Sequence, residues 1–301
     1  MAFRKTLLIT GATGKQGKAV IDTLLHASDP STFNILALTR KSSSPFAQAL
    51  AKRASNIQVI EGDLDDSKAI FASAAKLSKD PVWGVFGMTT PMGGKEVQQG
   101  NNLVDASLAA GVKHFVFTSV ERNGEGPTAV PHFLTKYEIE NHLKAESAKQ
   151  GNQMSWTILR PVAFMDNFGP NIFGKLFGVA WRDYVRGKAL QFISCHDIGV
   201  AGAQALMQPE RYKSRAISLA SDEATFDQAS ENFRDKLNMD MPTSYGILGK
   251  ALVWASKDMR LMFDFMRDRG FGVDVAAVRK EFPGMLTLAD WLEKKSSFPK
   301  P

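Results

Sequence analysis

The sequence predicts an α/β fold built on a doubly wound parallel sheet of Rossmann type, with a small C-terminal domain. Three observations lead to this prediction. Short apolar segments alternate with helical patterns over residues 1–160, a glycine-rich turn follows the first apolar segment, and the alternation stops after Pro161. The 301 residues are enough for one α/β domain and a smaller cap.

Six segments have the length and composition of buried parallel strands, since they are rich in β-branched or aromatic residues and flanked by polar or turn residues. They are Thr6–Thr10, Asn34–Thr39, Ile57–Ile60, Val82–Met88, His114–Ser119 and Met154–Leu159. Helical patterns lie between them, among them Asp66–Leu77, Gly94–Ala110 and Phe133–Lys149. Right-handed crossovers then predict the strand order 3-2-1-4-5-6.

Composition excludes several classes of protein. The formal net charge is +6, but the lysines and arginines are scattered, which argues against direct nucleic-acid binding. No apolar run approaches the roughly 18 residues of a membrane-spanning helix. The single cysteine, Cys195, rules out an intrachain disulfide and is typical of a reducing compartment. We expect a cytoplasmic protein, with the nucleus as an alternative, that is a monomer or homodimer, and we predict no metal site.

The segment Thr10–Gly17 has glycines at the spacing G-x-x-G-x-x-G between a predicted strand and a predicted helix. Small residues let the backbone turn tightly and approach a pyrophosphate, whose charge is held by the N–H groups at the start of the helix. Lys15 can add a cationic contact. The predicted phosphate-binding residues are Gly11, Thr13, Gly14, Lys15, Gln16 and Gly17.

The end of the second strand predicts which dinucleotide binds. An acidic residue there would accept a hydrogen bond from a free ribose 2′-hydroxyl and select NAD, but this chain has Arg40 and Lys41. Each charge-assisted hydrogen bond to a 2′-phosphate contributes roughly 1.5–3 kcal/mol. Two of them would favour NADP over NAD by about 10²–10⁴. The alternative is a solvated basic loop; we predict NADP(H).

Two further segments at the carboxyl ends of strands are candidates for cofactor contact. Asp63 and Leu64 follow the third strand, where folds of this type contact the adenine, and Asp65 or Asp66 can cap a helix at the same place. Thr89, in the segment Met88–Pro91, ends the fourth strand at the edge of the sheet where the ligand crevice lies.

These observations predict two domains. An NADP-binding Rossmann domain spans 1–160, and a C-terminal substrate-binding or cap domain spans 161–301. The chain can re-enter the first domain near 195–207. The second domain has helical patterns at Asp197–Met207, Phe226–Leu237 and Ala251–Met266 and a strand at Ala216–Leu219.

The glycine loop, the Arg40–Lys41 pair and a series of later motifs resemble the NmrA-like family of atypical short-chain dehydrogenases/reductases. The later motifs are Glu61–Asp66, His132–Lys136, Leu159–Pro161 with Phe164–Phe168, Asp197–Gly199, and Phe282–Gly284 with Leu288–Leu292. The resemblance spans the chain in order. It implies a Rossmann domain, a small substrate-binding domain and NADP(H) in the cleft between them.

The resemblance also implies roles for individual residues. Lys136 would hold the nicotinamide ribose, and Phe164, Met165, Asp166 and Asn167 would lie on the nicotinamide side. Gln98 stands where some relatives have a cofactor-contacting lysine, and the nearby Lys95 is a candidate substitute.

The catalytic residues of typical short-chain dehydrogenases are only partly present. Those enzymes use Tyr-x-x-x-Lys on one helix face, where the lysine lowers the pKa of the tyrosine so that it can transfer a proton. Here Lys136 is preceded at that spacing by His132, and Tyr137 lies about 100° away around the helix. The catalytic candidates are therefore Lys136 and His132, with Ser119 able to polarise a carbonyl.

Two functions follow from this departure. In the first, the protein is an oxidoreductase that acts on an apolar carbonyl, enone or imine, its proton coming from His132, Lys136 or water. In the second, it is a catalytically inactive NADP(H)/NADP⁺ sensor that regulates a protein partner through a loop near Arg40–Phe46 or Met92–Val97. Aromatic residues can line an apolar pocket in the first case or form packing in either: Phe168, Phe173, Phe177, Trp181, Tyr184 and Phe192.

Overall fold

The alternating apolar segments form the strands of a parallel sheet. The computed structural model describes residues 4–27, 29, 32–89, 93–149, 151, 153–243, 253–254 and 256–301. Its strands are β1 (Lys5–Ile9), β2 (Phe33–Thr39), β3 (Ile57–Glu61), β4 (Val82–Gly87), β5 (His114–Thr118), β6 (Ser155–Pro161), β7 (Ala163–Phe164), β8 (Leu190–Ile193), β9 (Arg215–Leu219) and β10 (Asp222–Ala224).

Within the described ranges, seven strands make one sheet in the order β3-β2-β1-β4-β5-β6-β9, and three make a second in the order β10-β8-β7. The pairs from β3 through β6 are parallel. The predicted order of the first six strands is thus confirmed, as is the doubly wound Rossmann-type sheet. The predicted strand at Ala216–Leu219 takes its place as β9, at the edge next to β6.

Helices connect the strands. They are α1 (Lys15–Leu25), α2 (Pro45–Ala51), α3 (Ser67–Leu77), α4 (Glu96–Ala109), α5 (Pro131–Ser147), α6 (Ile172–Ala180), α7 (Cys195–Met207), α8 (Pro209–Tyr212), α9 (Phe226–Leu237), α10 (Lys257–Asp268), α11 (Val275–Glu281) and α12 (Leu288–Lys294). No helix in the described part of the chain has both the length and the apolar character needed to cross a membrane.

Some predicted segments lie partly outside the described residues. Of the predicted helix Ala251–Met266, residues 251, 252 and 255 are outside, and 257–266 lie in α10. Residues 90–92, which end the Met88–Pro91 segment and begin the candidate loop Met92–Val97, are outside as well.

The strands are apolar because both faces of the sheet are covered, as is usual for parallel sheets. Leu7, Leu8 and Ile9 of β1 have no exposed surface, and all five residues of β5 are buried. Helices α4 and α5 come close together at Gly100, where an added Cβ would lie 2.5 Å from Cδ1 of Ile139. Burial of this kind holds the carboxyl ends of the strands in fixed positions.

The chain forms two compact units. The first comprises Met1–Ser119, Thr135–Arg160 and Ile198–Ile217, and the second comprises Val120–Leu134, Pro161–Asp197 and Ser218–Pro301. We call them the first unit and the second unit.

Aromatic side chains form the core of the second unit. Phe168 packs against the rings of Phe177, Trp181 and Phe192, with centroids 5.4–5.8 Å apart, and all four are buried. Phe173, by contrast, is 50% exposed. Four of the six aromatic residues that could have lined a pocket therefore serve as core. Each pair of rings stabilises the fold by about 0.5–1.5 kcal/mol beyond the effect of burying their surface.

Candidate functional site

The predicted phosphate loop is a tight turn that requires glycine. Gly11 has φ +59°, a conformation that side chains disfavour, and its carbonyl accepts from Gly14 N at 2.8 Å. A Cβ on Gly17 would lie 2.7 Å from Gly11 C and 2.9 Å from Ala12 Cα, and closer still to Gly11 O. Gly14 is the N-cap of α1 and has no side chain to cap it. The first turn of α1 therefore presents its N–H groups without a side-chain cap, as anion sites do.

Buried polar side chains hold this loop on the sheet. The Thr10 hydroxyl accepts from Met88 N at 2.7 Å and lies 3.2 Å from Met88 O, which joins the ends of β1 and β4. Gln16 is buried and accepts from the Thr118 hydroxyl at 3.0 Å. The side chain of Gln16 thus anchors α1 to β5, while Thr13 and Lys15 are exposed.

The basic pair lies on an anchored loop. Arg40 and Lys41 are exposed directly after β2. The next residue, Ser42, donates from its backbone N (2.9 Å) and from its hydroxyl to the carboxylate of Glu61 at the end of β3. These hydrogen bonds lower the pKa of Glu61. Sequence reasoning missed this role of Glu61, because nothing local links it to Ser42.

The segment after β3 is organised by its aspartates. Asp63 accepts from Asp65 N at 3.0 Å and so starts the 3-10 turn Leu64–Asp66. Asp65 receives Lys95 Nζ at 2.7 Å and Gln99 Nε2 at 2.8 Å from α4. Since the ammonium of Lys95 is held by Asp65, its proposed use as a substitute cofactor contact would require that ion pair to open.

Lys136 lies at the centre of a buried polar cluster. Its ammonium contacts Thr89 Oγ1 at 2.8 Å, Thr89 O at 3.1 Å and Thr118 O at 3.4 Å. It also forms an ion pair with Glu96 Oε1 at 3.0 Å. Burial lowers the pKa of Lys136, and Glu96 opposes that shift. The structure thus brings together two predicted site residues, Thr89 and Lys136, with a third that was not predicted.

Glu96 is that third residue. It is 2% exposed, and besides Lys136 it accepts from Thr89 Oγ1 at 3.0 Å and Thr135 Oγ1 at 2.5 Å. In the sequence, an acidic residue in the first turn of a helix is typical of a surface carboxylate near the helix dipole. Only its burial distinguishes it, and no local pattern indicates that.

Ser119 has a structural partner. Its hydroxyl donates to Glu140 Oε1 at 2.5 Å, and Glu140 also pairs with Arg160, whose Nη2 lies 2.7 Å from Oε2. Glu140 and Arg160 are both buried. With its proton donated to Glu140, Ser119 can act on a carbonyl only after breaking that hydrogen bond.

His132 and the nicotinamide-side segment lie in the second unit. His132 Nδ1 is 2.7 Å from Asp258 Oδ2 at the start of α10, and its backbone N also donates to Asp258. Met165 is fully buried, and Asp166 accepts from Cys195 N at 2.8 Å. Phe164 and Asn167 are half-buried. Asp258 is a third carboxylate, after Glu96 and Glu140, that the sequence did not single out.

Asp197, at the start of α7, makes stability depend on pH. Burial raises its pKa from 3.8 to about 6, against hydrogen bonds from Ser194 and Leu286 N. A raised carboxyl pKa stabilises the fold while the group is protonated, and this contribution is lost as pH rises from about 4 to about 6. The loss is on the order of 3 kcal/mol.

Asp197→Asn removes this titration. Chemical denaturation between about pH 4 and about pH 6 is expected to show that the variant gains stability relative to the parent as pH rises. Asp240→Asn, which changes a side chain that is 91% exposed, is the control and should show no such trend. Parallel pH curves for Asp197→Asn and the parent would contradict the assignment.

The chain is similar to known proteins over most of its length. A family model described as the NmrA-like family matches residues 4–274. The NmrA-like family domain-containing oxidoreductase ptmS of Penicillium ochrochloron is 26% identical over 258 residues, 76% of this chain and 72% of that protein.

Solved structures share the fold. The triphenylmethane reductase of Citrobacter sp., complexed with NADP(H), matches with a TM-score of 0.72 at 17% identity, covering 96% of this chain and 99% of that one. NmrA, a negative transcriptional regulator in complex with NADP, matches with a TM-score of 0.66 at 16% identity, covering 97% and 95%.

Proposed function

This chain belongs to the NmrA-like family, and from that premise we propose that it is an NADP(H)-dependent oxidoreductase acting on an apolar carbonyl, enone or imine. The relative from Penicillium ochrochloron is named an oxidoreductase. The Citrobacter protein is a reductase that was solved with NADP(H). We further propose a cytoplasmic location.

The observation that carries the proposal is the cradle between β1 and α1. A Cβ on Gly17 would collide with the backbone of Gly11 and Ala12, so the start of α1 packs directly against the loop that follows β1. This tight packing is typical of glycine loops that bind a pyrophosphate. The N–H groups at the start of α1 would hold the phosphates. The exposed Asp63 and the half-buried Leu64 would meet the adenine.

The basic loop supports a preference for NADP(H). Arg40 and Lys41 would pair with the 2′-phosphate, and Ser42, held by Glu61, fixes the loop that presents them. The Ser42 hydrogen bonds lower the pKa of Glu61, so this carboxylate remains an ionised acceptor that holds the loop.

The chain's own residues would orient the cofactor and move the proton. When bound, the nicotinamide supplies or accepts a hydride. Lys136 would hold the ribose, and because burial lowers its pKa it is a better proton donor than an exposed lysine. His132, oriented by Asp258, is the second candidate donor. The hydrogen bond to Glu140 makes Ser119 the weakest of the three.

Titration with NADPH, NADP⁺, NADH and NAD⁺ tests the cofactor assignment. We expect NADP(H) to bind at least about tenfold more tightly than NAD(H), and Arg40→Ala to remove most of that preference because a charge-assisted contact is lost. Intrinsic fluorescence or calorimetry gives the dissociation constants. Lys52→Ala, which removes an exposed positive charge after α2, is the matched control.

The outcomes separate the parts of the proposal. If neither dinucleotide binds, the function is wrong. If binding occurs but Arg40→Ala and Lys52→Ala behave alike, the basic loop does not select the cofactor. Turnover of NADPH with a panel of quinones, enones and imines then tests the oxidoreductase activity.

A second candidate function is a redox sensor. The residue four positions before Lys136 is His132 rather than tyrosine. His132 is bound to the carboxylate of Asp258, and the hydroxyl of Ser119 donates to that of Glu140. NmrA, which shares the fold, is a negative transcriptional regulator. A sensor would show no turnover with the panel and different affinities for NADPH and NADP⁺.

A further inference from the structure

We propose that Glu96 is the positioning residue that keeps Lys136 charged and in place for the cofactor. This inference rests on the proposed function, because it assigns Lys136 to the NADP(H) site. Glu96 lies on α4, whereas Lys136 lies on α5, so the inference adds a residue from a second helix to the proposed site.

The contacts of Lys136 show how closely it is held. Its ammonium has three protons, and among the described residues four oxygen atoms lie within 3.4 Å of it, three of them from Thr89 and Glu96 at 2.8–3.1 Å. The contact to Thr118 O, at 3.4 Å, is the longest. A ribose hydroxyl can therefore replace Thr118 O at the lowest cost, while Thr89 and Glu96 keep the ammonium in position.

Glu96 is itself held from three sides. Thr89 and Thr135 donate to its two carboxylate oxygens, at 3.0 and 2.5 Å, and Lys136 shares the oxygen that Thr89 contacts. Its place in the first turn of α4 also suits a negative charge. These three donors hold the carboxylate of Glu96 in direct contact with the ammonium of Lys136.

The charges around Lys136 indicate why a counter-charge is needed. Lys136 is buried, and burial disfavours an ammonium. Two carboxylates face it, Glu96 from α4 and Glu140 from α5. Glu140 is already paired with the buried Arg160. Glu96, which contacts the ammonium directly, is therefore the main counter-charge of Lys136.

Glu96→Gln keeps the shape of the side chain and removes its charge. We expect the variant to bind NADPH like the parent near pH 6 and at least about tenfold more weakly near pH 9, because Lys136 then loses its proton at lower pH. The parent should show a flatter profile over the same range. Dissociation constants measured at several pH values check this, and no activity is required.

Glu138→Gln is the matched control, since it removes an exposed carboxylate from the same helix as Lys136. Its pH profile should follow the parent. The proposal is overturned if Glu96→Gln also follows the parent, or if both variants weaken binding equally at every pH.

A thermal double-mutant cycle on the cofactor-free protein gives an independent readout. Glu96→Gln and Lys136→Met should each lower the melting temperature, and the double variant should lose less than the two together because neither charge is left unpaired. Additive losses would overturn the pairing. If the parent binds no dinucleotide, the proposed function and the positioning role both fail, while the cycle still reports the ion pair.

Discussion

Gly17→Ala is expected to weaken binding of NADPH by at least about 100-fold. The added Cβ would meet backbone atoms of Gly11 and Ala12, at 2.7 and 2.9 Å for the carbons, and a backbone atom cannot move aside as a flexible side chain can. The loop would have to open, and its N–H groups would leave the positions that hold a pyrophosphate. Titration calorimetry with NADPH measures the effect.

Helix propensity alone would make Gly17→Ala stabilise the protein, so a loss of stability in this variant needs another cause. Gly17 lies inside α1, where alanine is favoured over glycine by about 1 kcal/mol. A loss of both affinity and stability would therefore come from the collision. Gly126→Ala is the control, since an added Cβ there has open space. Unchanged NADPH affinity in Gly17→Ala would show that the loop does not contact the phosphates.

Glu140→Ala is expected to lower the free energy of unfolding by about 3–5 kcal/mol, because it removes the buried carboxylate that pairs with the buried Arg160. Glu140 joins α5 to Arg160 of β6 and also accepts from Ser119 after β5. Its side chain has no exposed surface, and that of Arg160 is 4% exposed. Denaturation by urea, followed by circular dichroism, measures the change.

Two comparisons show whether burial is the cause. Glu146→Ala breaks the ion pair with Lys149, a lysine that is 63% exposed, at the end of the same helix. It should cost much less stability than Glu140→Ala, because solvent screens an exposed ion pair. Replacing Glu140 and Arg160 together with methionine should recover much of the loss. Equal costs for Glu140→Ala and Glu146→Ala would contradict the role of the buried pair.

The parts of the fold that the sequence predicts are those encoded locally. Each strand of the sheet is an apolar segment of a few residues, and the order of the first six follows from right-handed crossovers, as the structure confirms. The glycine loop is also local, since its spacing and its position between a strand and a helix are visible within Thr10–Gly17.

The polar pairs of the site could not be predicted in this way. Glu96 contacts Thr135 across 39 residues of sequence, Arg160 reaches Glu140 across 20, and His132 pairs with Asp258 across 126. In the sequence each carboxylate is typical of a solvated helix surface, because burial depends on what packs against it.

The sheet, the glycine loop and the basic loop could be predicted from the sequence, because apolar segments, glycine spacing and adjacent basic residues are properties of neighbouring residues. Which charges are buried together depends on the packing of distant segments in the folded chain. This packing places the carboxylate of Glu96, from α4, against Lys136 and that of Glu140, from α5, against Ser119. Burying a charge carries a desolvation penalty, and only a partner that the folded chain brings within a few ångströms offsets it.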